Sequence, residues 1–236
     1  MISPELVREQ ALSFLVQEGL QRDFIENVSL KSDDAKAIID LAQEKSPQKI
    51  LEIGTFVGVS SAVLGLCLPQ AQIVCIDADF PVEVQNILSL RKFDVSNQLT
   101  NLYFVDQVVN HFGIADRFSL HRGFFSCFFP NEEDRNKLTN SGIDIQNPEI
   151  VGQHLCEEFG PFEVVFLDAD HRRAAVKSDL EVLFPYVVPD GMIILHDVGL
   201  DYWGQEVRAG VQDFLEQHQY PESKFQIRGE VGVIYT

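Results

Sequence analysis

Lys49-Ile50-Leu51-Glu52-Ile53-Gly54-Thr55-Phe56-Val57-Gly58-Val59-Ser60 is the stretch whose reading decides the fold. Ile50, Leu51 and Ile53 form the short apolar run of a buried parallel strand, the run stops at Gly54, and a helix-like segment, Ser60 to Leu68, follows Gly58. A strand, a glycine turn and a helix in that order aim backbone N–H groups and the positive end of a helix at a ligand. The glycines remove the Cβ atoms that would hold the ligand off. Glu52 departs from plain strand packing, because a carboxylate inside an apolar run is costly to bury unless something pairs with it, and a cationic ligand would do so. The spacing narrows the ligand. Pyrophosphate-binding dinucleotide sites use G-x-G-x-x-G, whereas Thr55, Phe56 and Val57 separate Gly54 from Gly58, so that fingerprint fails.

Length and charge bound the answer. The 236 residues suit one α/β domain with additions. Eighteen Lys and Arg against 36 Asp and Glu give a formal charge of −18, which repels a phosphate backbone and argues against a nucleic-acid partner. The start, Met-Ile-Ser-Pro-Glu, lacks a basic stretch followed by an apolar core, and no apolar run approaches the roughly 20 residues that span a bilayer. A soluble, cytoplasmic protein with no membrane partner is expected. Cys67, Cys75, Cys127 and Cys156 form no C-x-x-C pair, which indicates neither a disulfide framework nor a zinc knuckle.

Before the central strand, Leu6, Val7, Leu12, Leu15 and Val16 recur at helical spacing over residues 5 to 20, with Gly19 as a stop. Ser32, Asp33 and Asp34 then read as caps of a second helix whose apolar face carries Ile38, Ile39, Leu41 and Ala42, ended by Pro47. After the glycine turn, Gln72 to Ile76 is another strand. Asp77 ends it about twenty residues on, where an acid accepts ribose hydroxyls; Asp79 reads as a loop acid. Residues 80–101, with Arg91, Lys92 and Phe93, read as an insertion near the ligand mouth. A helix Leu102 to Phe112 and a short strand ending at His121 follow. Phe124, Phe125, Phe128 and Phe129 crowd around Ser126 and Cys127, as core or as a wall for a flat ligand. Residues 130–148 turn polar, as a surface loop or lid would, and Glu149 to Phe159 suits a helix, so 124–160 reads as a cap.

The second chemical cluster follows the apolar strand Phe162 to Leu167 as Asp168-Ala169-Asp170-His171. Open parallel sheets bind ligands at the carboxyl ends of their strands, so Glu52, Asp77 and Asp168 are expected to converge on one crevice. After a helix Ala174 to Phe184, the turn Pro189-Asp190-Gly191 leads into a strand Met192 to Leu195 that ends in His196-Asp197. Asp201, Tyr202 and Trp203 read as the next loop, before a helix Glu206 to Gln217 and a hairpin over Phe225 to Tyr235 about Gly229-Glu230.

These motifs resemble class I S-adenosylmethionine-dependent methyltransferases. Glu52, Gly54 and Gly58 match the first motif, E-x-G-x-x-x-G. With Ser60 they match its E-I-G-x-x-x-G-x-S form in small-molecule O-methyltransferases of the catechol and caffeoyl-CoA type. The resemblance implies S-adenosylmethionine as cofactor and places Glu52 at its amino-acid end. Gly54, Thr55, Phe56, Gly58 and Ser60 would line the turn, Asp77 the ribose and Gly123 and Phe124 the adenine, with Asp168 also at the cofactor. Lys31-Ser32-Asp33-Asp34-Ala35 is only loosely similar to the family's T-S-x-D-E-G-Q segment, and a plain helix cap is the competing reading. The run Val-Phe-Leu-Asp-Ala-Asp-His resembles the F-[VIL]-D-A-D-[KH] segment of metal-dependent members, which implies Asp168 as a ligand of a divalent cation (Mg, Mn or Fe) and His171 as base. Relatives usually carry Asp-Asn or Glu-Asp where this chain has His196-Asp197. That departure leaves three readings: a metal site of Asp168, His196 and Asp197, a second base, or no metal.

The implied fold is α/β, a Rossmann-like class I methyltransferase domain over 1–236. It has a seven-stranded, mostly parallel sheet with an antiparallel C-terminal strand and helices on both faces. The N-terminal helical extension, 1–47, would pack over the cofactor or against a partner subunit in a homodimer. Methyl transfer to a hydroxyl of a small molecule is the expected reaction. The rivals are a nicotinamide-dependent oxidoreductase and a non-catalytic partner protein with the same fold.

Overall fold

The computed structural model describes residues 2–84, 99–127, 132–143 and 146–236. Three helices come first, α1 (Pro4–Gln17), α2 (Arg22–Val28) and α3 (Ser32–Gln43). The central strand β1 (Lys49–Ile53) leads through the glycine turn into α4 (Val59–Cys67) and β2 (Gln72–Asp77). Then come α5 (Asn101–His111), β3 (Phe118–Arg122), α6 (Glu132–Asn140), α7 (Gly152–Phe159) and β4 (Phe162–Leu167). The chain finishes with α8 (Arg173–Leu183), β5 (Val187–Leu195), α9 (Tyr202–Gln217), β6 (Phe225–Arg228) and β7 (Val231–Tyr235).

The seven strands form one sheet in the order β3-β2-β1-β4-β5-β7-β6. Pairing is parallel from β3 through β5, while β7 runs antiparallel to both β5 and β6. The expected sheet is therefore present. From β1 the chain winds outward one way to β2 and β3 and later the other way to β4 and β5, so the order reverses between β1 and β4. A crevice opens at the strand carboxyl ends where such a reversal occurs.

Side-chain alternation explains the continuous apolar strands. Ile50, Ile73, Val164, Phe166 and Ile194 face a core shared with α1, α3, α4 and α5, whereas Leu51, Ile53, Val165, Leu167 and Ile193 face one shared with α7, α8 and α9. Both faces are covered, so both parities are apolar. On this alternation Glu52 points to the α4 side.

Several boundaries differ from the sequence reading. Helix α2 was not anticipated; it is seven residues long, buries only Phe24 and Ile25 and has no side-chain cap, too little for a periodic signal. Ser32, Asp33 and Asp34 do not cap α3. Lys31 holds the cap position without a side-chain capping bond, its ammonium donating instead to the Glu26 and Asn27 carbonyls, and the three lie in the first turn. The Pro189-Asp190-Gly191 turn lies within β5 and not before it, as an irregularity where the β4–β5 register shifts between Phe162 and Val164, with Asp190 at φ +65°. Asp201 is the cap of α9, accepting from Gly204 N–H at 2.8 Å, so Tyr202 and Trp203 belong to a helix and not to the loop expected. Helix α6 lies inside the polar stretch read as a loop, and Leu138 anchors it at 1% exposure. The middle of the expected insertion, with Arg91, Lys92 and Phe93, lies outside the described residues, as do Phe128 and Phe129. Its flanks pair through a bridge between Pro81 and Thr100.

Candidate functional site

At the end of β1 the ligand-facing groups are held by backbone. Gly54 N–H donates to the Ile76 carbonyl at 2.9 Å, and Asp168 N–H to the Ile53 carbonyl at 2.9 Å, which clamps the ends of β1, β2 and β4 together. Gly54 has φ +85°, and a Cβ there would lie 2.0 Å from the Asp168 carbonyl oxygen. Its lack of a side chain thus serves the approach of β4 as well as any ligand. Gly58 supplies the left-handed residue, φ +88°, from which α4 starts.

Asp77 organises the turn. Its Oδ2 accepts from Thr55 N–H (3.0 Å), Phe56 N–H (2.9 Å) and the Thr55 hydroxyl (3.3 Å), and its Oδ1 from Asp79 N–H (2.8 Å) and Asn101 Nδ2 (3.1 Å). Burial pushes the carboxyl upward, against the pull of these bonds. Asp79, at φ +59°, accepts from Leu102 N–H at 2.9 Å and so joins β2 to α5.

Glu52 is fully buried under the turn, accepting from the Ser61 hydroxyl at 2.7 Å and the Cys75 thiol at 3.1 Å, while its Oε1 has no hydrogen-bond partner among the described residues. Burial raises this acid to about 7, with Ser60, Ser61 and Cys75 opposing the rise.

A cavity of about 310 Å³ occupies the crevice. Of the residues expected at a cofactor, Gly54, Phe56, Asp77, Gly123, Phe124 and Asp168 line it; Glu52, Thr55, Gly58 and Ser60 do not. Phe80, Phe124 and Leu138 make an apolar wall, with the rings of Phe80 and Phe124 edge to face at 6.0 Å.

The ends of β4 and β5 carry side chains instead. His171 Nε2 lies 3.1 Å from Asp168 Oδ1 and its Nδ1 lies 3.5 Å from Asp197 Oδ2. His196 Nδ1 lies 3.4 Å from Asp168 Oδ2 and 3.5 Å from Asp197 Oδ1. The two acids and two imidazoles therefore alternate around a ring. Behind it, His196 Nε2 meets Asp34 Oδ2 from α3 at 3.3 Å, with both residues buried. Asp197 stands at φ +53°, a backbone conformation that an L residue adopts only when its surroundings impose it.

Electrostatics follow from this packing. Burial disfavours charge on His171, but the hydrogen bond and charge of Asp168, together with the charge of Asp197, outweigh it and raise the imidazole above its usual value. His196 is raised further, burial again opposed by Asp168, Asp34 and Asp197. Against its own burial, Asp168 is held well below the carboxylate range by the two histidines, while burial and the neighbouring Asp168 charge push Asp197 up.

Ligand atoms of Asp168, His171 and Asp197 lie within 4.8 Å of one another. Two carboxylates and an imidazole are a donor set that fits a divalent cation such as Mg²⁺, Mn²⁺ or Fe²⁺. His171 faces the cavity with Trp203, whose ring centroid is 6.3 Å away; His196 does not line it.

Two acids were missed by the sequence reading. Asp34 read as a cap, yet its neighbours Ala35 and Ile38 are on the buried face of α3, a pattern that places the acid inward. Asp179 interrupts the row Ala175, Val176, Leu180 and Leu183 on the buried face of α8. A carboxylate within an apolar helical row was the available signal in both.

Residues 51–198 match the family model described as a methyltransferase domain. Over 58 residues the chain is 33% identical to the mycinamicin VI 2''-O-methyltransferase of Micromonospora griseorubida, a stretch amounting to 25% of this chain and 14% of that enzyme. The crystal structure of an O-methyltransferase from Bacillus cereus in complex with SAH superposes with TM-score 0.58 at 15% identity, covering 98% of this chain and 90% of that one. The MycE methyltransferase of the mycinamycin pathway, solved with Mg, SAH and mycinamycin VI, superposes with TM-score 0.52 at 16% identity, covering 97% of this chain and 54% of that one. Among the described residues no helix is long and apolar enough to cross a membrane.

Proposed function

Because the chain belongs to the family of methyltransferase domains, its matched residues 51–198 being more than half of its 236, we propose that it moves a methyl group from S-adenosylmethionine to a hydroxyl oxygen of a small molecule. The observation that carries this reading is the cavity that Gly54 and Phe56 of the glycine turn line together with Asp77, Asp168 and His171. Gly54 and Phe56 would border the amino-acid end of the cofactor, Asp77 its ribose, and Phe124 its adenine. The bound cofactor supplies an electrophilic methyl group on a sulfonium centre.

The rest of the work falls to alignment and to the acceptor's proton. Holding acceptor and donor in line removes much of the entropic barrier. Asp168 Oδ1 at 3.1 Å takes the Nε2–H of neutral His171 and leaves the lone pair on Nδ1 to accept the hydroxyl proton. The imidazolium that results is stabilised by Asp168 on one side and by Asp197 Oδ2 on the other. A divalent cation, where present, would be held by Asp168 and Asp197 with an imidazole of the same ring, and would lower the pKa of the acceptor hydroxyl. The MycE structure contains Mg, which supports that part of the reading. The curated relative acts, by its name, on the 2'' oxygen of mycinamicin VI. The matched stretch spans only 14% of that relative, so the acceptor's size and class are not carried over.

Titration calorimetry with S-adenosylmethionine and with NAD tests the cofactor. Binding of the first and not the second is expected, and the reverse would restore the oxidoreductase reading. A screen of hydroxylated small molecules for methyl transfer, run with and without a chelator, then separates an enzyme from a non-catalytic binding protein and a metal-assisted reaction from base catalysis alone.

A further inference from the structure

Asp179 sits on α8 where a side chain with no structural need for charge would be apolar. It is 4% exposed and lines the same cavity as Asp77, Asp168 and Phe124. One turn earlier on that helix Ala175 also lines the cavity, so α8 presents a small residue and then an acid to the ligand space. The carboxylate is held in place from the loop after β3: the Ser126 hydroxyl donates to Oδ1, and the Ser126 backbone N–H also bonds the carboxylate.

The cavity has a polar end, at Gly54, Asp77 and Asp168, and continues past Asp77 to the apolar wall of Phe80, Phe124 and Leu138. On the proposed cofactor reading, the amino-acid and ribose parts take the polar end and adenine reaches the apolar wall. The faces of adenine suit that wall, but its edge carries an amino group, a donor that loses water on entry and needs an acceptor. Besides Asp77 and Asp168, three acids line the cavity, Asp134, Asp170 and Asp179, the last bonded to Ser126 two residues past Phe124. Asp134 lies 3.7 Å from Lys137. Asp170 is bridged by the guanidinium of Arg172, with Nε contacts of 2.8 and 3.0 Å. Among the described residues no salt bridge joins Asp179 to a cation, and burial, with the like charge of Asp170, raises its carboxyl to about 7. A carboxylate has about four lone-pair directions, so the two bonds from Ser126 leave acceptor capacity for a ligand donor.

We propose that Asp179, positioned by Ser126, accepts a hydrogen bond from the exocyclic amino group of the cofactor's adenine and makes the site select a 6-aminopurine over a 6-oxopurine. This rests on the cofactor reading above. With the carboxyl ionised, above the value of about 7 to which burial raises it, a site built around a hydrogen bond rejects the analogue that cannot make it, because the buried acceptor is then left facing another acceptor.

The test compares S-adenosylhomocysteine with S-inosylhomocysteine, which carries oxygen in place of the amino group, by calorimetry on the full chain. Wild type should prefer the adenosyl compound by about 10- to 100-fold. Asp179→Asn should lose most of that preference, binding the adenosyl compound more weakly and the inosyl compound more tightly, since the amide can turn its N–H towards the purine oxygen. A variant that weakens both ligands equally, or keeps the wild-type ratio, would mean that Asp179 only anchors the Ser126 loop, and the proposal falls. Failure of wild type to bind either compound would sink the cofactor reading itself, and this proposal with it. Where Asp179→Asn does not fold, the carboxyl ¹³C resonance of Asp179 in wild type decides: it should move with the adenosyl ligand and stay in place with the inosyl one, and equal movement with both overturns the assignment.

Discussion

At the β1 end of the crevice the ligand-facing surface is mostly backbone: the turn after Ile53, two left-handed glycines and amides tied to Asp77. At the β4 and β5 ends it is side chains, an alternating ring of Asp168, His171, Asp197 and His196 backed by Asp34. The first region draws on residues 52–58 and Asp77, the second on residues from three distant segments. A backbone site is a property of a short stretch and has to be rigid to work. A side-chain ring exists only once the sheet is assembled, and its charges depend on partners far away in the chain. The two regions should therefore fail in different ways: the turn by unfolding, the ring by losing chemistry while the fold survives.

The largest effect expected from this contrast is at the ring. His171→Ala should lower turnover by ~10² to 10⁴-fold, the range for loss of a general base, with melting temperature and S-adenosylhomocysteine affinity close to wild type. An equal loss of cofactor affinity would show that His171 belongs to the cofactor's wall and would blur the division between the regions.

At the turn the outcome should be the opposite. Gly54→Ala forces a Cβ to 2.0 Å from the Asp168 carbonyl oxygen at a φ of +85°, and should cost ~2 to 4 kcal/mol of stability in a denaturant titration. Gly58→Ala meets nothing closer than 3.1 Å, so it should cost ~1 to 2 kcal/mol, chiefly for the left-handed backbone. Equal costs at the two glycines would mean that β1 and β4 relax apart and that the clamp is looser than its geometry.

The smallest expected effect joins the two kinds of behaviour. Asp34→Asn leaves the shape of the contact with His196 and removes its charge, at a cost of ~1 to 2 kcal/mol. His196 has its folded pKa raised above the unfolded value near 6.5. Its contribution to stability is therefore complete below about pH 6.5 and is lost as pH rises through the raised folded value. Removing the Asp34 charge should bring that alkaline loss to lower pH, read from unfolding midpoints between about pH 5 and 9 with chelator present. An unchanged profile would assign the raised value to Asp168 and Asp197 alone.

Legibility in the sequence followed the same division. Residues 49–60 declare a strand, a turn and a helix because each step is local: β-branched and leucine side chains, then glycines at positive φ, then a helical apolar stripe. Asp77, Asp168, His171, His196 and Asp197 were legible as strand-end residues, since an apolar run that stops at a polar side chain marks the edge of the sheet. The reading went astray where local chemistry offered two equally good accounts. Asp34 at a helix start looks like a cap, and Pro189-Asp190-Gly191 looks like a turn before a strand.

From the sequence alone came the succession of the strands, the class of sheet, the failure of the dinucleotide fingerprint and the identity of the acids and histidines at the strand ends. Periodicity and turn chemistry act between neighbours and survive without a fold. Only the tertiary structure decided that Glu52 lies beneath the turn and off the cavity, that Asp34 reaches His196 across 162 residues of chain, and that Asp179 faces the ligand space. Those facts depend on which face of a strand or helix meets which neighbour. A hydrogen bond between distant residues leaves no mark in the spacing of either one.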